Sequence, residues 1–234
     1  MRVIITGASK GIGRAIAEEL ASVASAMMLV ARSADLLDEV AVSVKSGDQG
    51  DMNVGVAAID ITDPGEVKSL VQDVEKNFGG LDVLVNCAGL AIPETSIRET
   101  SLEIWEEIFA VNVTAPFLLT KETIPLLRRS SQASIVNIAS TAGTSARPGW
   151  GAYASSQAAS VNFSNTMSEE LKPDGIGVHC VAPGRTATEL RTVLAPEEDP
   201  STIMQPNAVA KIVKFLVSSD ALVLKGQTIV VRGE

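Results

Sequence analysis

Short, unbroken apolar runs alternate along this chain with longer stretches in which apolar residues return every three or four positions. The runs fall at about 2–6, 27–31, 53–59, 81–86, 133–139, 176–182 and 227–231. Their length and aliphatic content predict strands buried on both faces, because a strand wet on one face alternates with a period of two. The helical repeat fills the gaps, over Gly11 to Val23, Asp35 to Val44, Pro64 to Phe78, Leu102 to Arg128, Gly151 to Leu171 and Asn207 to Val217. In the first of these, Ile12, Ala15, Ile16 and Leu20 share one face. Pro64 suits a first helical turn, with Asp63 before it as a cap. Strand and helix alternating throughout require right-handed crossovers, and so predict an α/β, doubly wound, seven-stranded parallel sheet flanked by helices, with ligands at the carboxyl ends of the strands. No break in composition divides residues 1–234, and one domain is expected. Only residues 184–205 depart from the pattern, carrying Pro196, Pro200 and Glu197-Glu198-Asp199. They read as a lid over the ligand crevice, or alternatively as a variable surface loop.

Composition narrows the function classes. Apolar residues make up 46% of the chain and aromatic ones 3%, which suits an aliphatic core. A net charge of −9 argues against a nucleic-acid partner, since phosphate binding needs clustered Lys and Arg. An anionic ligand must then be held by a few local groups. Cys87 and Cys180 lie inside apolar runs and read as two free thiols in a reducing compartment. No signal-peptide pattern precedes the first strand and no apolar stretch has membrane-spanning length, so a cytoplasmic protein without a membrane partner is expected. No cluster of His, Cys, Asp and Glu has metal-ligand spacing, so no metal is expected.

The first strand runs into Thr6-Gly7-Ala8-Ser9-Lys10-Gly11-Ile12-Gly13. Gly7 lets the chain leave the strand sharply, Gly11 admits a pyrophosphate to the backbone, and Gly13 lets the helix pack on the strand. The phosphates would sit at the positive end of the first helix. Strand, glycine turn and amphipathic helix in that order are the context that turns a weak motif into a dinucleotide site of Rossmann type. The second strand ends Ala31-Arg32-Ser33, with Ala31 where a ribose-binding acid would stand. Arg32 and Lys10 offer two cations to a 2′-phosphate, which favours NADP(H) over NAD(H); the alternative is that both are solvated surface cations. Asp60, followed by Ile61 after the third strand, could accept a hydrogen bond from an adenine amino group or serve as an ordinary cap.

Further along come Asn86-Cys87-Ala88-Gly89, Asn112, Ser140, Tyr153 with Gln157 four residues on, and Pro183-Gly184 followed by Thr186 and Thr188. In this order the landmarks resemble the short-chain dehydrogenase/reductase family, its single-domain branch, close in pattern to the 3-oxoacyl-(acyl carrier protein) reductases and related ketone or alcohol oxidoreductases. The match spans residues 2 to 233. Departures are Gln157 where the family has lysine, and Cys87 and His179 where asparagine is frequent. The resemblance implies that Tyr153 is the general acid, that Ser140 holds the carbonyl oxygen, and that Asn112 belongs to a water relay. It also implies a cofactor cradle of Gly7, Ser9, Lys10, Gly11, Ile12, Gly13, Arg32, Asp60, Ile61, Asn86, Ala88, Gly89, Tyr153, Gln157, Pro183, Gly184, Thr186 and Thr188.

The expected function is therefore hydride transfer between NADP(H) and a small-molecule carbonyl or secondary alcohol, run as a reduction. Gln157 can still reach the ribose from one turn along the helix, but it brings no charge to lower the pKa of Tyr153, so weakened catalysis is expected. A protein of another class, binding NADP(H) as a sensor or scaffold with little turnover, is the alternative that Gln157 keeps open. Arg147 and Arg185 flank the expected substrate mouth and could hold an anionic or acyl-carrier substrate, although solvated surface cations are the stronger reading of each. Family relatives are often tetramers, which implies a homo-oligomer, dimer or tetramer, joined through the long helices near Leu102 and Gly151.

Overall fold

The computed structural model describes residues 1–47, 52–224 and 226–233. Seven parallel strands pair into one sheet in the order β3-β2-β1-β4-β5-β6-β7. They are β1 Arg2–Thr6, β2 Ala26–Ala31, β3 Asn53–Ala58, β4 Val83–Asn86, β5 Ser134–Ile138, β6 Gly177–Pro183 and β7 Thr228–Val231. The helices between them are α1 Gly11–Leu20, α2 Ala34–Gly47, α3 Pro64–Phe78, α4 Leu102–Phe109, α5 Ala115–Leu127, α6 Gly151–Glu170, α7 Glu189–Leu194 and α8 Pro206–Leu216.

Alternation along each strand sends side chains into two separate layers. Val3 and Ile5 of β1 pack with Ile16 and Leu20 of α1, Leu37 and Val40 of α2 and Val213 and Leu216 of α8. Ile4, between them, packs on the other face with Leu70 and Val74 of α3 and Leu119 and Leu127 of α5. Burying each such side chain stabilises the fold by roughly 1.5–3 kcal/mol. The aliphatic runs are thus explained by helices on both faces.

From β1 the chain winds outward to β3, then returns to the centre and winds the other way from β4. The loops after β1 and β4 therefore diverge, and a crevice opens at the carboxyl ends of these neighbouring strands. Thr6 ties the two edges of that crevice, its hydroxyl oxygen accepting from the Cys87 and Ala88 amides at 3.0 and 3.1 Å.

Three elements differ from the periodicity. The predicted helix over 102–128 is interrupted by a π-helical turn at Ala110–Thr114. Pro116 explains the break, because it has no N–H for the Asn112 carbonyl, which accepts instead from the Ser160 hydroxyl at 2.8 Å. The first helix stops at Leu20, where the Val23 and Ala24 amides turn back to the Leu20 carbonyl at 3.0 and 2.9 Å. Residues 184–205 are not irregular throughout: they hold α7 and a 3₁₀ turn at Pro200–Thr202. The base of this segment is pinned where the Ala187 amide donates to the Met204 carbonyl at 2.8 Å.

Candidate active site

The cleft at the ends of β1, β2 and β4 has a volume of about 370 Å³. Gly7 and Gly11 line it with positive φ angles of 65° and 57°. A Cβ on Gly7 would lie 2.9 Å from the Ala88 backbone, and one on Gly13 only 2.1 Å from the Gly7 carbonyl oxygen. Gly7 and Gly13 are therefore closed to side chains, and the turn presents bare backbone at these positions. Helix α1 begins there without a side-chain cap and without an acidic residue in its first turn, in contrast to α3, where Asp63 accepts from the Gly65 and Glu66 amides at 2.7 and 3.0 Å. Uncapped first-turn amides facing a cleft form an anion site.

Ser9, Lys10, Ile12, Gly13, Arg32, Asp60, Ile61, Ala88, Gly89, Tyr153, Gln157 and Thr188 line the same cleft, with Ser33, Thr62, Leu90 and Glu189, which the sequence reading had not singled out. Asp60 spends one carboxylate oxygen on the Thr62 amide and hydroxyl, at 2.9 and 2.7 Å. Those bonds, with Arg32 nearby, hold its carboxyl below the usual range. Lys10 pairs with Glu189 on α7, an exposed contact of the kind that contributes ~1 kcal/mol or less. Burial pushes the Cys87 thiol up to about 12, which keeps it protonated and unreactive.

Tyr153 and Gln157 lie one turn apart on α6, both buried. Burial pushes the Tyr153 hydroxyl up, while its hydrogen bond with Ser140 and the charge of Arg191 act the other way without cancelling the rise. Ser140 is held in place by accepting from the Ala142 amide at 3.1 Å. The Gln157 side-chain oxygen is buried and has no hydrogen-bond partner among the described residues. Such an acceptor costs about 1–3 kcal/mol unless a donor reaches it, and the cleft is where a ligand hydroxyl would arrive. The residues present thus fit a dinucleotide: bare amides for its phosphates, cations at Arg32 and Lys10, and a waiting acceptor at Gln157.

A chain of hydrogen bonds locates α6. Asn86 Nδ2 donates to Asn137 Oδ1 at 2.8 Å, and Asn137 Nδ2 to the Ser164 hydroxyl at 2.9 Å. Asn112 Nδ2 donates to the Leu90 carbonyl and the Ser156 hydroxyl, both at 2.9 Å, while its Oδ1 accepts from the Leu90 amide at 2.8 Å. The expected relay role of Asn112 meets this geometry: side chain and carbonyl are already engaged by protein groups, so it positions the Leu90 backbone and α6. Asn86 lies behind the cleft, where it and Gln157 line a void of about 10 Å³, and its Oδ1 has no hydrogen-bond partner among the described residues.

Pro183, Gly184 and Thr186 line a second cavity of about 370 Å³, with Ser140, Trp150 and Arg191. Ile12, Ala139, Tyr153, Thr188 and Leu190 belong to both cavities, so Tyr153 stands on the wall between them. Trp150 is carried there by the Gly149 turn, with φ 79°, and by a bridge between Thr95 and Trp150. Arg191 and Trp150 are functional candidates that the sequence reading missed. The spacing Thr188-Glu189-Leu190-Arg191, with its capping threonine, was the available signal for the helix that brings Arg191 in. Lys121 is exposed on α5, and His179 is buried in β6; neither lines either cavity. Among the described residues no group of three metal-ligating side chains occurs, and no helix is long and apolar enough to cross a membrane.

A sequence model described as short chain dehydrogenase matches residues 1–199. The 3-oxoacyl-[acyl-carrier-protein] reductase FabG of Haemophilus influenzae is 33% identical over 238 residues, covering 98% of this chain and 96% of its own. A crystal structure of a short chain dehydrogenase from Shigella flexneri complexed with NADP is 28% identical with a TM-score of 0.89, over 98% of this chain and 96% of that one. The 3-ketoacyl-(acyl-carrier-protein) reductase of Brucella melitensis, complexed with NADH, is 26% identical with a TM-score of 0.87, over 98% and 95%.

Proposed function

The chain belongs to the short-chain dehydrogenase family, and on that premise we propose that it is an NADP(H)-dependent oxidoreductase that reduces a small-molecule carbonyl to a secondary alcohol. The observation that carries the reading is the position of Tyr153, a buried phenol that lines a cavity together with Ser140 and stands on the wall shared by two cavities. One cavity has the glycine turn and Arg32 and suits the dinucleotide; the other suits the substrate. The uncapped α1 amides would hold the pyrophosphate, Arg32 the 2′-phosphate, with Lys10 exchanging Glu189 for it, and Gln157 a ribose hydroxyl. A bound reduced nicotinamide supplies the hydride.

The chain's own work is proton supply and orientation. Ser140 holds the carbonyl oxygen, and Tyr153 donates a proton to that oxygen as it gains charge. Burial favours the protonated phenol, which is the competent form for reduction and the wrong form for alcohol oxidation. Gln157 leaves that bias uncorrected, so the reductive direction is the favoured one and turnover is reduced relative to a site with lysine. Residues 184–205 act as a lid, with α7 over both cavities. Assembly into a homo-oligomer, dimer or tetramer, belongs to the same proposal, with Phe117 on α5, 46% exposed, as an apolar contact that such packing would cover.

NADPH consumption measured against a panel of ketones tests the reading. Tyr153→Phe should lower kcat by at least ~10³-fold while the NADPH Kd stays within about threefold, because the ring remains and only the proton donor goes. Failure of the protein to bind either dinucleotide in a titration would end it.

A further inference from the structure

The cavity beside Tyr153 is lined by Arg147, Arg185 and Arg191 against one carboxylate, Glu94, in a chain whose net charge is −9. Arg191 is the inner one. Its side chain is 18% exposed, against 61% for Arg185. Its guanidinium carbon lies 5.5 Å from the centre of the Trp150 ring, and that ring meets Tyr153 edge-on with 6.4 Å between centroids. The backbone is fixed as well, since the Arg191 amide donates to the Thr188 hydroxyl at 3.1 Å as the cap of α7.

Glu198 accepts from Arg191 Nε and, at 3.1 Å, from an Arg185 terminal nitrogen. Glu198 is not part of the cavity wall, so it grips both side chains from outside. The protein hydrogen bonds of Arg191 end at Nε, and its terminal nitrogens have no partner among the described residues. An oriented, half-buried guanidinium with its fork unspent, facing the cavity that holds the proton donor, is built for a planar anion.

We propose that this cavity takes a small oxo acid, whose free carboxylate docks on the terminal nitrogens of Arg191 while its carbonyl oxygen meets Ser140 and Tyr153. The inference rests on the reductase reading and deepens it by naming the substrate class. The carboxylate takes no part in the redox change; the hydride and its two electrons come from NADPH, the proton from Tyr153. A volume of about 370 Å³ is at the small end for ligand pockets. A thioester substrate would put a neutral group where the carboxylate is wanted and leave the fork unpaired.

Acetoacetate, methyl acetoacetate and acetoacetyl-CoA, compared by NADPH oxidation, test this, together with calorimetric titration of acid and ester into the protein with and without NADP⁺. Acetoacetate should exceed its ester by on the order of 10²-fold in kcat/KM and in affinity, the size expected when a charge-assisted bidentate bond is lost. Arg191→Met should bring the acid-to-ester ratio to within about threefold of one, mainly through KM, and Arg191→Lys should keep part of the preference. NADPH affinity of each variant reports whether it is folded. Equal use of acid and ester by the parent, preference for the thioester, or an unchanged ratio in Arg191→Met each overturns the proposal. Absence of NADPH binding, or of turnover with every carbonyl, sinks the reductase reading instead, and the titration without cofactor still reads the carboxylate preference.

Discussion

Replacing Gln157 by lysine tests the electrostatic core of the site. Positions four apart on a helix face one another at about 5–6 Å, so a lysine at 157 would bring a unit charge close to the Tyr153 hydroxyl. At ~5 Å and an effective dielectric of about 20, the attraction between ammonium and tyrosinate is roughly 3 kcal/mol, equivalent to about two pH units. Against this stands the cost of burying the ammonium at a site that is 5% exposed, several kcal/mol when nothing compensates it. Compensation is at hand, because Asn86, whose Oδ1 has no partner among the described residues, lines the same small void as Gln157. The sign follows from which form of the phenol works. Alcohol oxidation needs tyrosinate, and a phenol of ordinary pKa near 10 is only ~10⁻³ ionised at pH 7; burial lowers that fraction further. Gln157→Lys should therefore move the rising, acid-side limb of the pH profile for NADP⁺-dependent alcohol oxidation about two pH units toward neutrality and raise the rate at pH 7 by on the order of 10²-fold. Ketone reduction should gain less, since the protonated phenol already serves it. A limb that stays within half a pH unit of the parent's would refute the account of the missing charge.

Arg32→Ala should weaken NADPH binding by about 10- to 100-fold and leave NADH nearly unaffected, as read by fluorescence titration of both dinucleotides. Gly13→Ala places a methyl 2.1 Å from the Gly7 carbonyl oxygen; it should cost about 2 kcal/mol or more by urea unfolding and abolish dinucleotide binding. Asp82 is pushed up by desolvation, but hydrogen bonds from Arg2 and Ser130 outweigh this and hold its carboxyl well below the usual range. A carboxyl lowered on folding contributes stability above its unfolded pKa of about 4 and loses it as pH falls further. Asp82→Asn should thus lower the urea midpoint at pH 7, with a smaller gap at pH 3; a gap that widens in acid would contradict the pairing.

Strands and most helices were legible because burial on both faces of a parallel sheet writes itself as uninterrupted aliphatic runs such as Val3-Ile4-Ile5. The glycine turn was legible for a similar reason: Gly13 has no room for any other residue. What escaped is what depends on a single atom or on distant chain meeting. Pro116 sits within an otherwise helical pattern, and the missing N–H that opens the π turn is resolved only by Ser160, 44 residues on. Arg191 follows Tyr153 by 38 positions, and no periodicity relates them; only the turn after β6 and the α7 cap bring them to one cavity. Asn112 was recognisable as part of the site, but its engagement by Leu90, Ser156 and Ser160 depends on three-dimensional neighbours that local spacing does not encode.

Helix α6 presents Ser156, Ser160 and Ser164 toward its neighbours, where most helices of this size would present leucines. Greasy contacts tolerate sliding, whereas these directional bonds to Asn112 and Asn137 all break together if the helix advances by one residue or rotates by part of a turn. The helix is thereby keyed into one seat. Tyr153 is aimed by a row of small hydroxyls, and trading them for alkyl groups would keep the helix while letting the phenol wander.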